Sequence, residues 1–578
     1  MNINKNEIKF IYSQDEETEK RKQKGITLIA LVITIIILLI LAGITISSLT
    51  NTGLFKNAKL AKEKTEKEQK KETSLLDQYE SELNKYIENG RWDGKVNKPE
   101  LMTGMSAIKF IDPTDSTEGS VVDTTSNDTE WYNYENKKWA NSKTEDGSMW
   151  VWIPRYAYRI HKENGVETQK FDIVFLVGLT DNYYDENGKL QTAQRQTSED
   201  QTIVTNGDAY TVHPAFTNES SINYANGGWD KELAGIWVAK FEAGYASGNN
   251  KATVKASSIN YSQDTAYVPA VETGTTTTTT TARNWLDGEY GSTTTAIKYP
   301  TFQGLTYSMN YINNNDAYRI SKVLTESGNI YGLNSSSTDS HLMKNSEWGA
   351  VSYLSQSKYG LDGTNIVINS VYLNNTTKSV YAVTGCASST ADASAVSTTI
   401  GALNNRTQSG VYVWTQKNGT AASSTGTIYG IYDMSGGIWE RTASIINNWH
   451  NNLTIYGSQI MKELNNGGST KYITVYPHDS SKDNTSISNT SANLSIASQT
   501  NYARNKKIYG DGIRETSTAG TEQNAWYSDY SYFAGLQVPF FVRGGSYGGI
   551  SGVGLFSFLR NAGASGYDAG FRSVLVSL

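Results

Sequence analysis

The chain has 578 residues, with 51 Lys and Arg against 57 Asp and Glu, and a formal net charge of −6 at pH 7. This acidic balance argues against nucleic acid as a partner, because binding to a phosphate backbone needs an excess of positive charge. Cys386 is the only cysteine, which excludes an intrachain disulfide, and the length allows two to four ordinary domains or one large one.

A basic run at residues 20–24 is followed by Gly25 and then by residues 26–49, which contain no charged side chain. A span of about 20 apolar residues crosses a bilayer as a helix, and Lys and Arg on one flank stay on the cytoplasmic side. The apolar stretch is longer than the roughly 7–15 residues of a secretory signal peptide, and its small residue comes before it. We therefore expect a transmembrane helix at residues 26–49, with the rest of the chain outside the membrane.

Residues 24–29 resemble the leader of type IV prepilins. The resemblance implies that a peptidase cuts after Gly25 and that Ile26 becomes the N-methylated first residue of the mature chain. Pilins usually carry glutamate at the fifth mature position, where it meets the N-terminal amine of a neighbouring subunit, but this chain has Ala30 there. The absence of this glutamate favours a place at the filament tip, where no further subunit lies above. The alternative interpretation of the N-terminus is an uncleaved signal anchor.

The helical pattern continues beyond the membrane span. Apolar residues between positions 75 and 87 recur at three- and four-residue steps, which is typical of one apolar helical face. The Glu and Lys residues before them, up to Lys71, offer i,i+4 pairs along an exposed helix, and Asn89-Gly90 predicts its end. Residues 1–25 are thus interpreted as a leader, and residues 26–89 as a transmembrane and extended pilin-like helix.

Beyond residue 90 the chain becomes rich in Tyr, Trp, Gly, Ser, Thr and Asn, which is typical of short strands, tight turns and polar loops. We predict an α+β fold with few helices, in which residues 90–147 form a connecting segment with the first strands. The seven-threonine run at 275–281 is interpreted as a solvated spacer. The other predicted elements are strands at residues 149–153, 235–241 and 411–414, helices near 306–311 and 346–355, and a long loop insertion at 456–525.

Residues 148–578 contain a series of local matches to one family. In chain order the matches lie at residues 235–242, 344–350, 430–440, 543–546 and 570–572. They resemble the formylglycine-generating (sulfatase-modifying) enzyme family, a variant of the C-type lectin fold, and residues 430–440 are the most specific of them. The resemblance implies that residues 148–578 form a C-type lectin domain with long loops.

Several residues of these matches are interpreted as scaffold. Trp348 and Trp439 are expected to be core anchors, since a buried aromatic side chain removes roughly 150–250 Å² from water. The resemblance allows a calcium site made from carboxylates and carbonyls in the loops, but no dense Asp/Asn/Gly ligand run favours it, so no cofactor is predicted. Four charged residues are predicted to form a buried ion-pair set that fastens the final segment: Asp433, Glu440, Arg543 and Arg572.

The family's oxidase chemistry needs two active-site cysteines near the C-terminus that hold copper, and Cys386 lies outside that segment. Iron-dependent relatives use clustered histidines, whereas the five histidines here are scattered, with no pair at metal-ligand spacing. Residues 544–548 satisfy the G-x-S-x-G pattern of a nucleophile elbow, but no histidine follows His478 to act as the base. We therefore predict no catalytic residue, no metal and no enzyme activity.

Residues 543–578 resemble the variable region of proteins diversified by a retroelement, which are ligand-binding C-type lectin proteins. That pattern has an Arg-Gly-Gly start, a Gly-x-Phe middle and a Gly-Phe-Arg end, present here at residues 543–545, 554–556 and 570–572. Adenine-directed mutation of asparagine codons cannot create Lys, Glu, Gln, Met or Trp. None of the five occurs between Gly544 and Gly570, which agrees with a diversified segment.

Twelve positions in this segment alternate with scaffold positions and are predicted to form a ligand-binding surface. Tyr and Arg among them would supply most of the contact energy, and the small residues would shape the surface. The twelve positions are Tyr547, Gly548, Gly549, Ile550, Ser551, Val553, Ser557, Leu559, Arg560, Asn561, Tyr567 and Asp568.

Taken together, the sequence predicts a surface-displayed, adhesin-like protein: a minor or tip pilin that starts in the cytoplasmic membrane and reaches the cell surface or an extracellular pilus. The expected partners are the membrane through residues 26–49, other pilin or pseudopilin subunits, and a protein or glycan on another cell or phage. Two alternatives stay open. One is an enzyme of the formylglycine-generating type, and the other is a structural minor pilin or pseudopilin whose globular domain only organises the filament.

Overall fold

The computed structural model divides into two compact units, Met1–Ile87 and Glu88–Leu578. Gly25, Ile26 and the threonine run at 275–281 lie outside the described residues, so the predictions made for them are not addressed by the structure. The described residues are 33–35, 62–71, 91–195, 209–218, 228–245, 300–310, 312–375, 379–388, 411–465, 471–478, 491–505, 508–549, 551–566 and 568–578.

In the first unit, residues 33–35 and 62–71 are helical. The exposed helix at 62–71 carries the ion pairs Lys62–Glu66, at 3.9 Å, and Lys71–Glu68, at 3.1 Å, which confirms the predicted Glu/Lys helix over this range. Among the described residues, no helix combines the length and apolar character needed to cross a bilayer. Of the predicted transmembrane helix at 26–49, only residues 33–35 are described.

The second unit consists mainly of short strands, as its composition predicts. In chain order the strands are β1 (Met105–Ile111), β2 (Ser120–Asp123), β3 (Asn141–Thr144), β4 (Met149–Pro154), β5 (Tyr156–Glu163), β6 (Val166–Phe175), β7 (Asn182–Tyr184), β8 (Leu190–Thr192), β9 (Thr211–Val212), β10 (Gly235–Ala239), β11 (Gly244–Tyr245), β12 (Tyr307–Ser308), β13 (Thr338–Leu342), β14 (Tyr372–Asn375), β15 (Ser379–Ala382), β16 (Cys386–Ser388), β17 (Val411–Val413), β18 (Trp439–Asn447), β19 (Thr474–Pro477), β20 (Ser531–Tyr532), β21 (Phe540–Arg543), β22 (Phe558–Asn561), β23 (Ala569–Phe571) and β24 (Ser573–Ser577).

Four α-helices lie between these strands in the described part of the second unit. Helix α2 confirms the helix predicted near 346–355, whereas the helix predicted near 306–311 is wrong. There β12 pairs with β11, and the next helix begins only after Asn313, whose side chain caps it by accepting from the Asp316 amide. The helices are α1 (Asn314–Lys322), α2 (Asn345–Ser355), α3 (Asn451–Asn465) and α4 (Ser491–Asn505).

The predicted loop insertion at 456–525 is also wrong. This stretch contains most of α3, the strand β19 and the helix α4. A loop was predicted over α4 because this helix is rich in Ser, Asn and Thr, which favour caps and turns in isolation. Within the fold, Asn501 and Asn505 donate from their side chains to the carbonyl oxygens of Ala497 and Asn501, one turn earlier in the helix.

The larger sheet has the strand order β13-β24-β10-β4-β3-β1-β2, and its neighbours are antiparallel. Residues 90–147 therefore supply β1, β2 and β3 to the same sheet as β4 and β10. Several fully buried tryptophans pack on these strands, among them Trp150, Trp152 and Trp237. The fold is mixed α+β, built around a core rich in aromatic side chains.

The second large sheet has the order β19-β18-β21-β22-β20, and β23 pairs with β18 outside this path. Residues 544–568, most of the predicted variable segment, lie between β21 and β23 and contain β22. The chain then passes from β23 in this sheet to β24 in the larger one through Arg572. Residues 543–578 therefore connect the two sheets.

Candidate ligand-binding surface

The loop between β21 and β22 is fixed by buried side chains on its inner side. Trp348 of α2 donates from Nε1 to the carbonyl oxygen of Leu555 at 2.7 Å. Arg543 donates from Nε to the carbonyl of Ser557 at 3.0 Å, and its guanidinium lies 5.5 Å from the centre of the Trp348 ring. Hydrogen bonds from buried donors constrain a backbone strongly, because breaking one leaves an unsatisfied polar group.

Asp529 supports the same loop from another direction. Its Oδ2 accepts from the Phe556 amide at 2.9 Å, and the carboxyl is buried. Gly554 lies against this carboxyl so closely that an added Cβ would come within 2.3 Å of it. Together, Trp348, Arg543 and Asp529 hold residues 554–557 in one conformation.

The predicted ion-pair set is only partly formed. Arg572 and Glu440 make two hydrogen bonds, at 2.9 and 2.6 Å, and both are buried. Asp433 instead accepts from the Asn369 side chain and the Gly385 amide, both at 2.9 Å. Arg543 belongs to the separate group described above, where its partners are carbonyl oxygens. The prediction is thus confirmed for Glu440–Arg572 and wrong for Arg543, because a guanidinium with five donors can be satisfied by backbone alone.

Seven of the twelve predicted surface positions are accessible. Gly548 and Ser551 are exposed, and the other five are half-buried: Gly549, Leu559, Arg560, Asn561 and Asp568. Ile550 and Tyr567 lie outside the described residues.

Three of the predicted surface positions are buried, so the prediction is wrong for them. Tyr547 is 8% exposed and packs with Ala382 and Ile438. Val553 is 3% exposed, and a Cβ added to Gly545 would meet its side chain at 2.6 Å. Ser557 is 0% exposed and donates to the carbonyl of Gly552 at 2.6 Å. A glycine-rich loop that folds back on itself needs an interior of its own, and these side chains supply it.

Tyr530 is the central aromatic residue of this surface, and the sequence reasoning missed it. The half-buried Tyr530 ring packs over Gly552, where an added Cβ would meet it at 2.6 Å. Its ring centre lies 6.2 Å from that of Trp439, and Leu559 packs against the same group. Tyr530 and Tyr532 alternate with buried Ser531 and Phe533, and this period of two could have marked a strand with one accessible face.

The accessible positions divide between the two faces of β22. Leu559 and Asn561 share the face of Trp439, whose backbone amide donates to the carbonyl of Asp568 at 2.7 Å. Arg560 points to the other face, as strand alternation requires, and lies 5.2 Å from the centre of the Tyr532 ring. We define the C-terminal patch as Tyr530 together with the accessible predicted positions other than Arg560: Gly548, Gly549, Ser551, Leu559, Asn561 and Asp568.

Replacing Asp529 with asparagine is expected to remove one pH-dependent contribution to stability. Burial raises the pKa of Asp529 to about 7 from its ordinary value of 3.8, so between these values the folded chain binds a proton that the unfolded chain has lost. The contribution of the Asp529 carboxyl to the free energy of unfolding is therefore fully present below about pH 4 and is lost as the pH rises through 7. Asp529→Asn keeps the acceptor for the Phe556 amide, and its melting temperature should exceed that of the wild type at pH 7.5 but not at pH 4.

The size of that difference follows from the pKa change, since one pKa unit corresponds to about 1.4 kcal/mol. The expected gain is on the order of 4 kcal/mol at pH 7.5, measured by thermal unfolding. Asp115→Asn is the matched control, because Asp115 is an exposed carboxylate. An equal difference at both pH values would contradict the assignment.

In the part of the chain that the structure describes, no group of three or more His, Cys, Asp or Glu side chains is placed to hold a metal ion. The Cys386 thiol is buried, and burial raises its pKa above the ordinary value. A thiolate is the form that binds metals and attacks carbonyls, so this environment disfavours both.

The N-terminus of the chain matches a known family model. Residues 20–46 match the prokaryotic N-terminal methylation motif, which includes Gly25, Ile26 and most of the predicted transmembrane helix. The search of curated proteins gave no match.

Proposed function

We propose, from the methylation motif at residues 20–46, that the protein is a ligand-binding subunit of the type IV pilus class. The motif marks the chain as pilin-related, with insertion into the membrane, export to a pilus or the cell surface, and contacts with other pilus subunits. Cleavage after Gly25 and a place at the filament tip, suggested by Ala30, are parts of the proposal. On this view the second unit is adhesin-like and is presented outside the cell.

The proposed binding site is the C-terminal patch, on a C-type lectin domain of the formylglycine-generating-enzyme type that a retroelement diversifies. The observation that carries the proposal is the contrast between the two sides of one loop. On the inner side, Trp348, Arg543 and Asp529 hold the backbone, and on the outer side the half-buried Tyr530 ring lies against Gly549 and Gly552. A backbone fixed from within tolerates changes of its outer side chains, which is what a diversified binding surface needs.

The composition of the C-terminal patch suits protein or glycan recognition. Tyr530 and Leu559, backed by Trp439, offer an apolar group, and the patch also contains the polar side chains of Ser551, Asn561 and Asp568. In many interfaces, a few aromatic residues at the centre contribute most of the binding free energy, and polar residues form the rim. The ligand is therefore expected to bury an apolar group against Tyr530.

Sequencing the 3′ end of this gene from sibling isolates tests the proposal. Substitutions should concentrate at the accessible positions Gly548, Ser551, Leu559, Asn561 and Asp568. Val553 and Ser557 should keep small or apolar residues, because their side chains are enclosed. An even spread of substitutions over residues 544–570, or none at all, would favour the alternative of a purely structural minor pilin.

A pair of matched variants provides the control on the protein itself. Ser551→Asp places a charge at an exposed position and should leave the melting temperature within about 1 °C of the wild type. Val553→Asp places the same charge in an enclosed site, where an unpaired carboxylate costs several kcal/mol. Its melting temperature should fall by about 5 °C or more. Equal effects of the two substitutions would contradict the assignment of Ser551 to the exposed side of the loop and Val553 to the enclosed side.

The proposal includes no enzymatic activity. The family's copper chemistry needs two cysteines in the last segment, and the buried Cys386 lies in β16. Metal analysis of the purified protein and an oxidation assay on a cysteine-containing peptide separate this proposal from the enzyme alternative. Stoichiometric copper or iron together with peptide oxidation would support the enzyme.

A further inference from the structure

A groove of about 1230 Å³ lies in the second unit, and none of its lining residues belongs to the C-terminal patch. Its walls come from residues 92–99 and 126–135, the β5–β6 hairpin, residues 183–187, and Lys358–Tyr359. Ligand sites for small molecules typically measure about 300–1,000 Å³. The groove is therefore large enough for an extended ligand.

The floor of the groove is aromatic. Tyr134, Phe175 and Tyr359 are buried, and the ring centre of Phe175 lies 5.4 Å from that of Tyr134 and 4.7 Å from that of Tyr359. On the walls, the rings of Tyr132 and Tyr183 are half-buried. Rings packed at such distances are fixed in place, so the aromatic surface exists before any ligand binds.

One wall combines a tyrosine pair with an ion pair. The rings of Tyr183 and Tyr210 meet edge to face at 5.3 Å, and the Arg159 guanidinium lies 4.5 Å from the centre of the Tyr210 ring. Arg159 also donates from Nε to Asp172 at 2.9 Å. Rigid aromatic side chains thus lie next to hydrogen-bonding groups within one wall.

Charges in the groove are nearly balanced, with five Lys or Arg and six Asp or Glu among the lining residues. Several of them neutralise one another or a neighbour: Arg159 pairs with Asp172, and Lys358 lies 3.4 Å from Glu135. A site for phosphate groups or polyanions would carry an excess of positive charge. The balance instead favours a ligand without net charge.

We propose that this groove binds a neutral oligosaccharide. The C–H faces of sugar rings pack on aromatic side chains, and sugar hydroxyls both donate and accept hydrogen bonds. Tyr132, Tyr183 and the aromatic floor offer the first kind of contact, and Arg159 with Asp172 offers the second. The groove shares no lining residue with the C-terminal patch. The proposal for the groove can therefore be wrong while the proposal for the patch is right, and the reverse.

Calorimetric titration of the full-length protein tests the proposal, in a detergent without sugar headgroups. The probes are maltohexaose, cellohexaose, laminarihexaose and chitohexaose. At least one is expected to bind with a sub-millimolar Kd that changes little between about 0.05 and 0.5 M NaCl, because the attraction is not between net charges. Tyr183→Ala should weaken that binding by about tenfold or more, and Tyr183→Phe should retain most of it.

One further variant and one further measurement separate this site from the other. Leu559→Ala alters the C-terminal patch and should leave oligosaccharide affinity unchanged, while thermal unfolding of Tyr183→Ala checks that the groove variant is folded. Absence of binding to all four probes would overturn the proposal. So would binding that Tyr183→Ala leaves intact, or binding only of anionic sugars or peptides.

Discussion

Replacing Arg572 with methionine is expected to lower the free energy of unfolding by about 3–5 kcal/mol, or to prevent folding altogether. Removing one partner of a buried ion pair leaves the other charge uncompensated, and costs of this size are typical. Arg572 donates to both carboxylate oxygens of Glu440 and also to the carbonyl oxygens of Ala239 and Tyr432. Urea unfolding followed by tyrosine and tryptophan fluorescence measures the loss.

The loss should also depend on pH. Burial raises the pKa of Glu440 to about 7 even with Arg572 beside it, and removal of the guanidinium would raise that pKa further. A folded-state pKa above the ordinary value means that stability is present at low pH and lost as the pH rises. Arg572→Met should therefore be most destabilised near pH 8 and least near pH 5.

The double variant Arg572→Met/Glu440→Gln is the control for this prediction. It removes the buried charge together with its partner and should recover part of the lost stability, because the cost lies mainly in the unpaired carboxylate. A loss below about 1 kcal/mol in Arg572→Met, or a loss equal at pH 5 and pH 8, would contradict the assigned role.

Gly25→Phe is expected to abolish processing at the N-terminus and to leave the chain in the cytoplasmic membrane. The matched methylation motif at residues 20–46 places glycine at the border between basic and apolar residues, and a position without Cβ lets another backbone approach closely. Mass spectrometry of N-terminal peptides is the measurement. The wild type should yield a peptide that starts at N-methylated Ile26, and Gly25→Phe should retain residues 1–25.

Ala30→Glu is the matched control, since it restores the glutamate that pilins usually carry without changing the cleavage position. It should be processed normally and should enter the filament shaft more readily than the wild type, as measured by immunogold labelling along pili. Residues 1–25 retained in the wild-type protein would support the alternative of an uncleaved signal anchor.

The sequence predicted the features that local pattern and residue size determine. The short apolar runs around Trp150, Trp152 and Trp237 identified strands β4 and β10, because runs rich in aromatic and β-branched residues are typical of strands buried on both faces. Trp348 was correctly assigned to a helix and to the core. The mixed α+β class followed from the same patterns.

Features that depend on contacts distant in sequence could not be predicted in this way. Nothing near Arg543 shows that its partners are the carbonyl oxygens of Asp511, Gly512 and Ser557. Val553 looks like an exposed loop residue until the loop folds back over Gly545. The alternation at residues 530–533 could mark a strand but not its neighbours. Tyr530 belongs to the candidate surface because its ring packs over Gly552 and lies near Trp439, both distant in sequence.

The position of β24 has a consequence for changes in the segment that precedes it. This strand follows residues 544–570 in the sequence, yet it lies in the sheet interior between β10 and β13. A frameshift or stop codon arising in residues 544–570 would delete β24, leave two unpaired edges facing each other, and yield a product exposed to proteolysis. Folding of the larger sheet therefore requires an intact reading frame through residues 544–570.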